Sequence, residues 1–131
     1  MEKKLKSKTR PIGIGWKLYT LPILEETFWS YLAGIIDGEG SINLVPNGRI
    51  STQPRIDVVN TNMDLLLFVK NRIGGEIHEK KLGTKSVKPC FVLYFQSHNK
   101  VLAILEKTLP YLIIKKEKAI EIINLIKLKI L

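Results

Sequence analysis

A single cysteine, Cys90, rules out an internal disulfide and suits a reducing compartment. Histidine is nearly as scarce, with only His78 and His98. That scarcity argues against a Cys/His zinc site and against a nuclease built on a histidine-rich metal motif. No stretch approaches the roughly 18 uninterrupted apolar residues of a membrane span, so no membrane partner is expected. The N-terminal "MEKKLKSKTRPIGIG" is basic, but no apolar signal-peptide core follows it. Acidic residues are also few, 12 against 21 Lys plus Arg, which leaves a net charge of +9. On a compact domain that excess points to a polyanion, most often nucleic acid. The plainer reading is a basic protein with no such partner.

What is present fits one domain of 131 residues, 45% hydrophobic, with a real core. Residues 1–24 read as an irregular basic arm, either free or lying along a phosphate backbone. Residues 25–131 read as the folded domain. A first helix is expected from Glu25 to Asp37, with Glu25, Glu26 and Thr27 suiting its first turn. "SINLVPNGRISTQPRIDVVN" reads as two strands around a turn at "PNG". "TNMDLLLFVKNRIGG" reads as a helix with Leu66, Val69 and Ile73 on one side and a glycine stop. "EIHEKKLGTKSVKPCFVLYFQS" reads as two more strands, and "HNKVLAILEKTL" as a helix ended by Pro110. A last helix carries a stripe at Ala119, Ile122, Ile123, Ile126 and Ile130.

This order predicts an α+β fold, an antiparallel four-stranded sheet with helices on one face. Ile77, Phe91, Leu93 and Phe95 would lie beneath the sheet. Its other face would be polar. On the first strand pair that face, with its turn, offers Asn43, Val45, Arg49, Gln53, Arg55 and Asp57. On the second pair, with its loop, it offers His78, Lys80, Lys85, Tyr94 and Gln96. Such a face suits base edges and phosphates in a major groove, which admits strands. An ordinary solvated sheet face is the plainer alternative.

The stretch with the sharpest chemistry is "YLAGIIDGEGSI", Tyr31 to Ile42. Ser30, Gly34 and Gly38 repeat every four residues, with Ala33 and Asp37 beside them. Glycine inside a helix costs about 1 kcal/mol relative to alanine, so two of them need a reason. A stripe with little side chain lets a second backbone approach closely. No other helix of the chain has such a stripe, so the expected partner is a second copy, through an interface at Ser30, Ala33, Gly34 and Asp37. A two-fold pairing would bring both Glu39 carboxylates near the axis, where repulsion calls for cations. Hard oxygen ligands in a wet site suit Mg²⁺. The plainer reading of "DGEG" is an acidic turn, and of the stripe, a helix buried on its own sheet.

Leu32-Ala33-Gly34-Ile35-Ile36-Asp37-Gly38-Glu39-Gly40 resembles the LAGLIDADG motif that names a class of homing endonucleases. The resemblance extends over about residues 25 to 126, with "NTNMDLLLFVKNRIGGEI" and "LPYLIIKKEKA" similar to later segments of the family. It implies the family's α-β-β-α-β-β-α fold, and one motif per chain implies a homodimer joined through the motif helix. The acidic residue at the eighth motif position, here Glu39, is implied to bind Mg²⁺ or another divalent cation such as Mn²⁺, helped by the Gly38 carbonyl. Asp37 is implied to brace the helix ends. A polar residue ending the second strand, best matched by Asn60, is implied to position water. A basic residue in the Pro-aromatic-Leu segment, best matched by Lys115 with Lys116 as its rival, is implied to act at the scissile phosphate. Glu39 replaces the commoner Asp, and "NTNMDLL" holds no counterpart of a second family basic residue.

The resemblance thus implies a Mg²⁺-dependent enzyme that cuts both strands of double-stranded DNA at a long, partly palindromic site. Such a protein would be intron-encoded, in a mitochondrion or chloroplast, or otherwise intracellular. The competing class is a binding module, either an RNA maturase for its own intron or a DNA-binding protein without cleavage. A different nuclease built on Glu79-Lys80-Lys81 is a third option, resting on a common tripeptide pattern.

Overall fold

The computed structural model describes residues 9–12, 19–22, 24–80 and 89–129. Where the sequence predicts an irregular arm, strands β1 (Thr9–Ile12) and β2 (Tyr19–Pro22) pair as a short antiparallel hairpin. In the sequence, Pro11 and Pro22 favour the irregular reading. In a two-stranded ribbon both strands are edges, however, so a missing N–H need not break the ladder.

Helix α1 (Glu26–Glu39) follows, with Phe28, Trp29, Leu32, Ala33 and Ile36 buried. Those positions recur at helical spacing, so one side of α1 enters the core. The helix runs two residues past the expected end at Asp37, which makes Glu39 its last residue. Strand β3 (Gly40–Asn47) leaves directly from it and pairs with β4 (Ser51–Asn60). Pro46 lies within β3 rather than in the turn, as an edge strand allows. The turn falls at residues 48–50, where Gly48 has φ +82°.

Helix α2 (Met63–Ile73) is capped by the Asn62 side chain, which accepts from the Asp64 amide, and stops at Gly74, φ +84°. Strands β5 (Glu76–Lys80) and β6 (Cys90–Gln96) pair next. Helix α3 (His98–Thr108) is capped by Ser97, and one 3-10 turn (Leu109–Tyr111) holds Pro110. Helix α4 (Lys116–Lys127) buries Ala119, Ile122, Ile123 and Ile126. Ile130 and Lys85 lie outside the described residues, as does Lys81.

The main sheet has the order β3-β4-β6-β5, every pair antiparallel. Alternation along its strands divides the sheet into two faces. Ile42, Ile56, Val58, Leu93 and Phe95 form the inner one, buried against Leu66 and Val69 of α2, Val101, Ile104 and Leu105 of α3, and Ile122 of α4. Each such side chain contributes about 1.5–3 kcal/mol on burial. The helices therefore sit on one face, and the other is left open. Among the described residues no helix is long and apolar enough to cross a membrane.

Candidate active site and nucleic-acid interface

The outer side of α1 is bare. Ser30, Gly34 and Gly38 are exposed, and a Cβ added at either glycine would meet nothing within 4 Å. Apolar groups border this strip. Tyr31 is 50% exposed and stacks edge-on against Phe68, ring centres 5.7 Å apart. Ile113 and Ile114, in the segment that braces Asp37, are 83% and 73% exposed. Ala33 does not belong to the strip: it is fully buried in its own chain's core. A helix advances about 100° per residue, which sets Ala33 about 40° from Trp29 and about 100° from Gly34. The expectation that Ala33 faces a partner is corrected on that ground.

At its C-terminal end α1 presses onto the sheet. A Cβ on Gly40 would lie 2.8 Å from the Asp57 carbonyl oxygen and 3.0 Å from Ile36 Cα, so only glycine fits. The two carboxylates before it have different surroundings. Asp37 accepts from the backbone amides of Ile113 (2.8 Å) and Lys115 (3.0 Å), fastening the segment before α4 to the motif helix. Burial opposes its ionisation, but the amides of Ile113, Lys115 and Ile114 and the Lys115 ammonium outweigh that. Its carboxyl is held below the usual carboxylate range. The Lys115 ammonium also donates to the Asp37 carbonyl oxygen at 2.8 Å. Lys116 is exposed at the start of α4, so Lys115 is the lysine gathered at the motif. At the other end of α1, the Tyr111 hydroxyl donates to Glu26 at 2.6 Å, a bond that raises the phenol's pKa.

Glu39 is exposed, and the Asn60 amide donates to its Oε1. Asn60 Oδ1 accepts from the Asn62 amide at 2.7 Å, which fixes the end of the side chain that faces Glu39. Asn62 in turn caps α2, accepting from Asp64 N at 2.9 Å. Asn62 was not singled out from the sequence. Its signal was local: two asparagines two apart, directly before an apolar helix, read as a turn and a cap. Tyr111 and the apolar pair Ile113 and Ile114 were also missed, because their contacts with α1 or their position beside it depend on the tertiary fold.

The open sheet face gathers several predicted residues into one network. Gln96 donates to Gln53 (2.9 Å) and accepts from Arg55 (3.2 Å), and Arg55 pairs with Asp57 (2.6 Å). Tyr94 lies under the Arg55 guanidinium and 5.4 Å from the His78 ring. Asn43 and Val45 are opposite Arg55 and Gln53 on the edge strand β3. Arg49 is exposed in the turn after β3, and Lys80 is exposed at the end of β5. Neither belongs to the network. Val92 lies on this same face yet is buried, facing Val59 and His78 across the register.

The donor set at the helix tip fits a hard divalent cation. The exposed Glu39 carboxylate and the Gly38 carbonyl offer oxygen only, next to solvent. Among the described residues no group of three or more His, Cys, Asp or Glu could hold a metal within one chain. The fit is therefore to an ion that takes its remaining ligands from outside these two groups.

No family model matches the sequence, and no curated protein matches it. Solved structures do. The homing endonuclease I-CvuI, in complex with DNA, is 23% identical over 78% of this chain and 67% of its own, with a TM-score of 0.67. The archaeal intron-encoded homing endonuclease I-Vdi141I, complexed with DNA, is 23% identical over 81% of this chain and 71% of its own, TM-score 0.64. The LAGLIDADG homing endonuclease I-SmaMI, bound to cleaved DNA, is 16% identical over 89% of this chain but only 39% of its own, TM-score 0.61. The fold of the chain is that of the LAGLIDADG homing endonucleases.

Proposed function

We propose that this chain is a divalent-cation-dependent DNA endonuclease that works as a homodimer and cuts both strands of a long, partly palindromic duplex site. The observation that carries the reading is Glu39. It is exposed at the tip of a helix whose outer side is bare, with Asn60 oriented to hold it. The solved neighbours support DNA and a divalent cation as ligands: I-CvuI has been crystallised with its target in the presence of Ca, and with the I-CreI target, not cleaved, in the presence of 2 mM Mg.

In this reading the outer strip of α1 packs against its two-fold mate, and Tyr31, Ile113 and Ile114 are covered at the margins. The chain spans under two fifths of I-SmaMI, which leaves room in that protein for a second unit of the same size. Pairing carries two Glu39 side chains to the axis, one for each strand. Glu39 and the Gly38 carbonyl hold the cation, which supplies charge neutralisation at the scissile phosphate when bound. Asn60 keeps the Glu39 carboxylate in one orientation and has its amide beside the site, in reach of solvent. Lys115, braced by the Asp37 carbonyl, places a fixed positive charge by the same helix end, where phosphate charge develops during attack. The open sheet face lies along the major groove, and the +9 net charge supplies much of the sequence-independent affinity.

The reading further takes the chain as intron-encoded, which would make its target the joined exon sequence that the intron interrupts. A plasmid carrying that junction tests the proposal. Linearisation in Mg²⁺ and none in EDTA is expected. Tight binding without cleavage in Mg²⁺ or Mn²⁺ would move the chain to the non-cleaving class, and preferential binding of its own intron RNA to the maturase class.

A further inference from the structure

Arg55 stands on β4, one of the two inner strands, on the open face, and it is held from three directions. Its Nε donates to Asp57 Oδ1 at 2.6 Å, and its Nη1 donates to Gln96 Oε1 at 3.2 Å. The guanidinium lies 4.0 Å from the centre of the Tyr94 ring. Gln96 is itself steadied by its 2.9 Å bond to Gln53. These contacts use the Nε hydrogen and one Nη1 hydrogen. Among the described residues Nη2 and the second Nη1 hydrogen have no partner, and the side chain keeps 22% of its surface in solvent.

With Gln96 on the Nη1 hydrogen that points back toward Cδ, the donors left over form the outer end of the planar fork. That edge matches guanine O6 and N7 in a major groove, the commonest specific arginine contact with DNA. Holding the fork beforehand removes side-chain freedom that a loose arginine would lose on contact. An exposed ion pair by itself adds little to stability. It also gives no reason for a ring beneath the guanidinium and two glutamines in line behind it.

We propose that Arg55 is a preorganised guanine reader, so that each half of the target carries a G·C pair at the position facing the middle of β4. Asp57, Gln96 and Tyr94 are positioning residues, which set the direction of the fork without touching the base. The proposal rests on the reading of the chain as a sequence-specific DNA endonuclease.

The full chain is incubated with a pool of duplexes randomised over their central segment, and the bound fraction is sequenced. The wild type is expected to enrich guanine about tenfold or more over other bases at one position in each half. Arg55→Lys keeps the charge and loses the fork, and should lower the preference at that position to about threefold or less, leaving the rest of the consensus intact. Asp57→Asn leaves the reader in place and loosens it, and should weaken the same position alone. Thermal melting of each variant monitors folding; if Arg55→Lys does not fold, Asp57→Asn decides. An enriched sequence that stays the same in the variants overturns the guanine assignment and spares the endonuclease reading. So does an even loss at every position in a folded variant. A wild type that enriches no sequence overturns both.

Discussion

The two sides of α1 use the same small residues for different ends. On the inner side Ala33 fits a sealed core, and directly after the helix Gly40 is glycine because the Asp57 carbonyl and the Ile36 backbone leave no room for a Cβ. On the outer side Gly34 and Gly38 have nothing within 4 Å, so the folded chain gives no reason for them. The carboxylates divide in the same way. Asp37 is engaged by backbone amides of its own chain, whereas Glu39 is exposed with one amide partner. Inner features explain the fold. In the proposed reading a second helix, a cation and a phosphate account for the outer ones.

The comparison breaks most sharply at Glu39. Glu39→Gln should lower the cleavage rate by about a thousandfold or more, the several kcal/mol that a cation supplies at the phosphate. Unfolding by urea should move by less than about 0.5 kcal/mol. An unchanged rate would remove Glu39 from the metal site. On the inner side, Leu32→Ala leaves a cavity and should cost about 2–5 kcal/mol in the same unfolding experiment. Gly40→Ala should cost about 1–3 kcal/mol, through the shift that the Asp57 carbonyl must make.

Asp37→Asn weakens the brace to Ile113 and Lys115, with an expected loss of roughly 1–2 kcal/mol at neutral pH. The sign of its pH dependence follows from the lowered pKa. The carboxylate's contribution is whole above the unfolded value and is lost as pH falls through the folded one. Melting temperature followed through the acid range should fall less steeply in Asp37→Asn than in the wild type. The smallest effect belongs to Gly34→Ala. In the isolated chain it should be neutral or stabilising by up to about 1 kcal/mol, the helix preference for alanine. A marked loss of monomer stability would mean that the outer side is not bare.

Much of this arrangement was legible in the sequence. Alternation from Ile42 to Val45, from Arg55 to Val59 and from Phe91 to Gln96 assigns each residue to the correct face of the sheet, because a period of two leaves no choice once one face is apolar. The glycine-punctuated motif, with its likeness to a known family, pointed to both the fold and Glu39. Other features were harder to read. Alanine suits a core and an interface equally, so Ala33 could be placed only by its angle around the helix. The end of α1 was hidden because glycine and aspartate read as a stop, while in the fold Asp37 is held by amides more than seventy residues away. The tie of Tyr111 to Glu26 is equally distant in sequence. The Arg55 network depends on β4 and β6 being neighbours, which no local pattern states.

The central claim is that the outer side of α1 is a contact between two copies. Sedimentation of the full chain bound to a duplex of its target measures it most directly, with Gly34→Leu run beside the wild type. Two chains per duplex are predicted for the wild type. For Gly34→Leu, whose side chain has open space in its own chain, folded monomers that fail to assemble as pairs on the duplex are predicted. One wild-type chain per duplex, or a Gly34→Leu protein that pairs as well as the wild type, would contradict it.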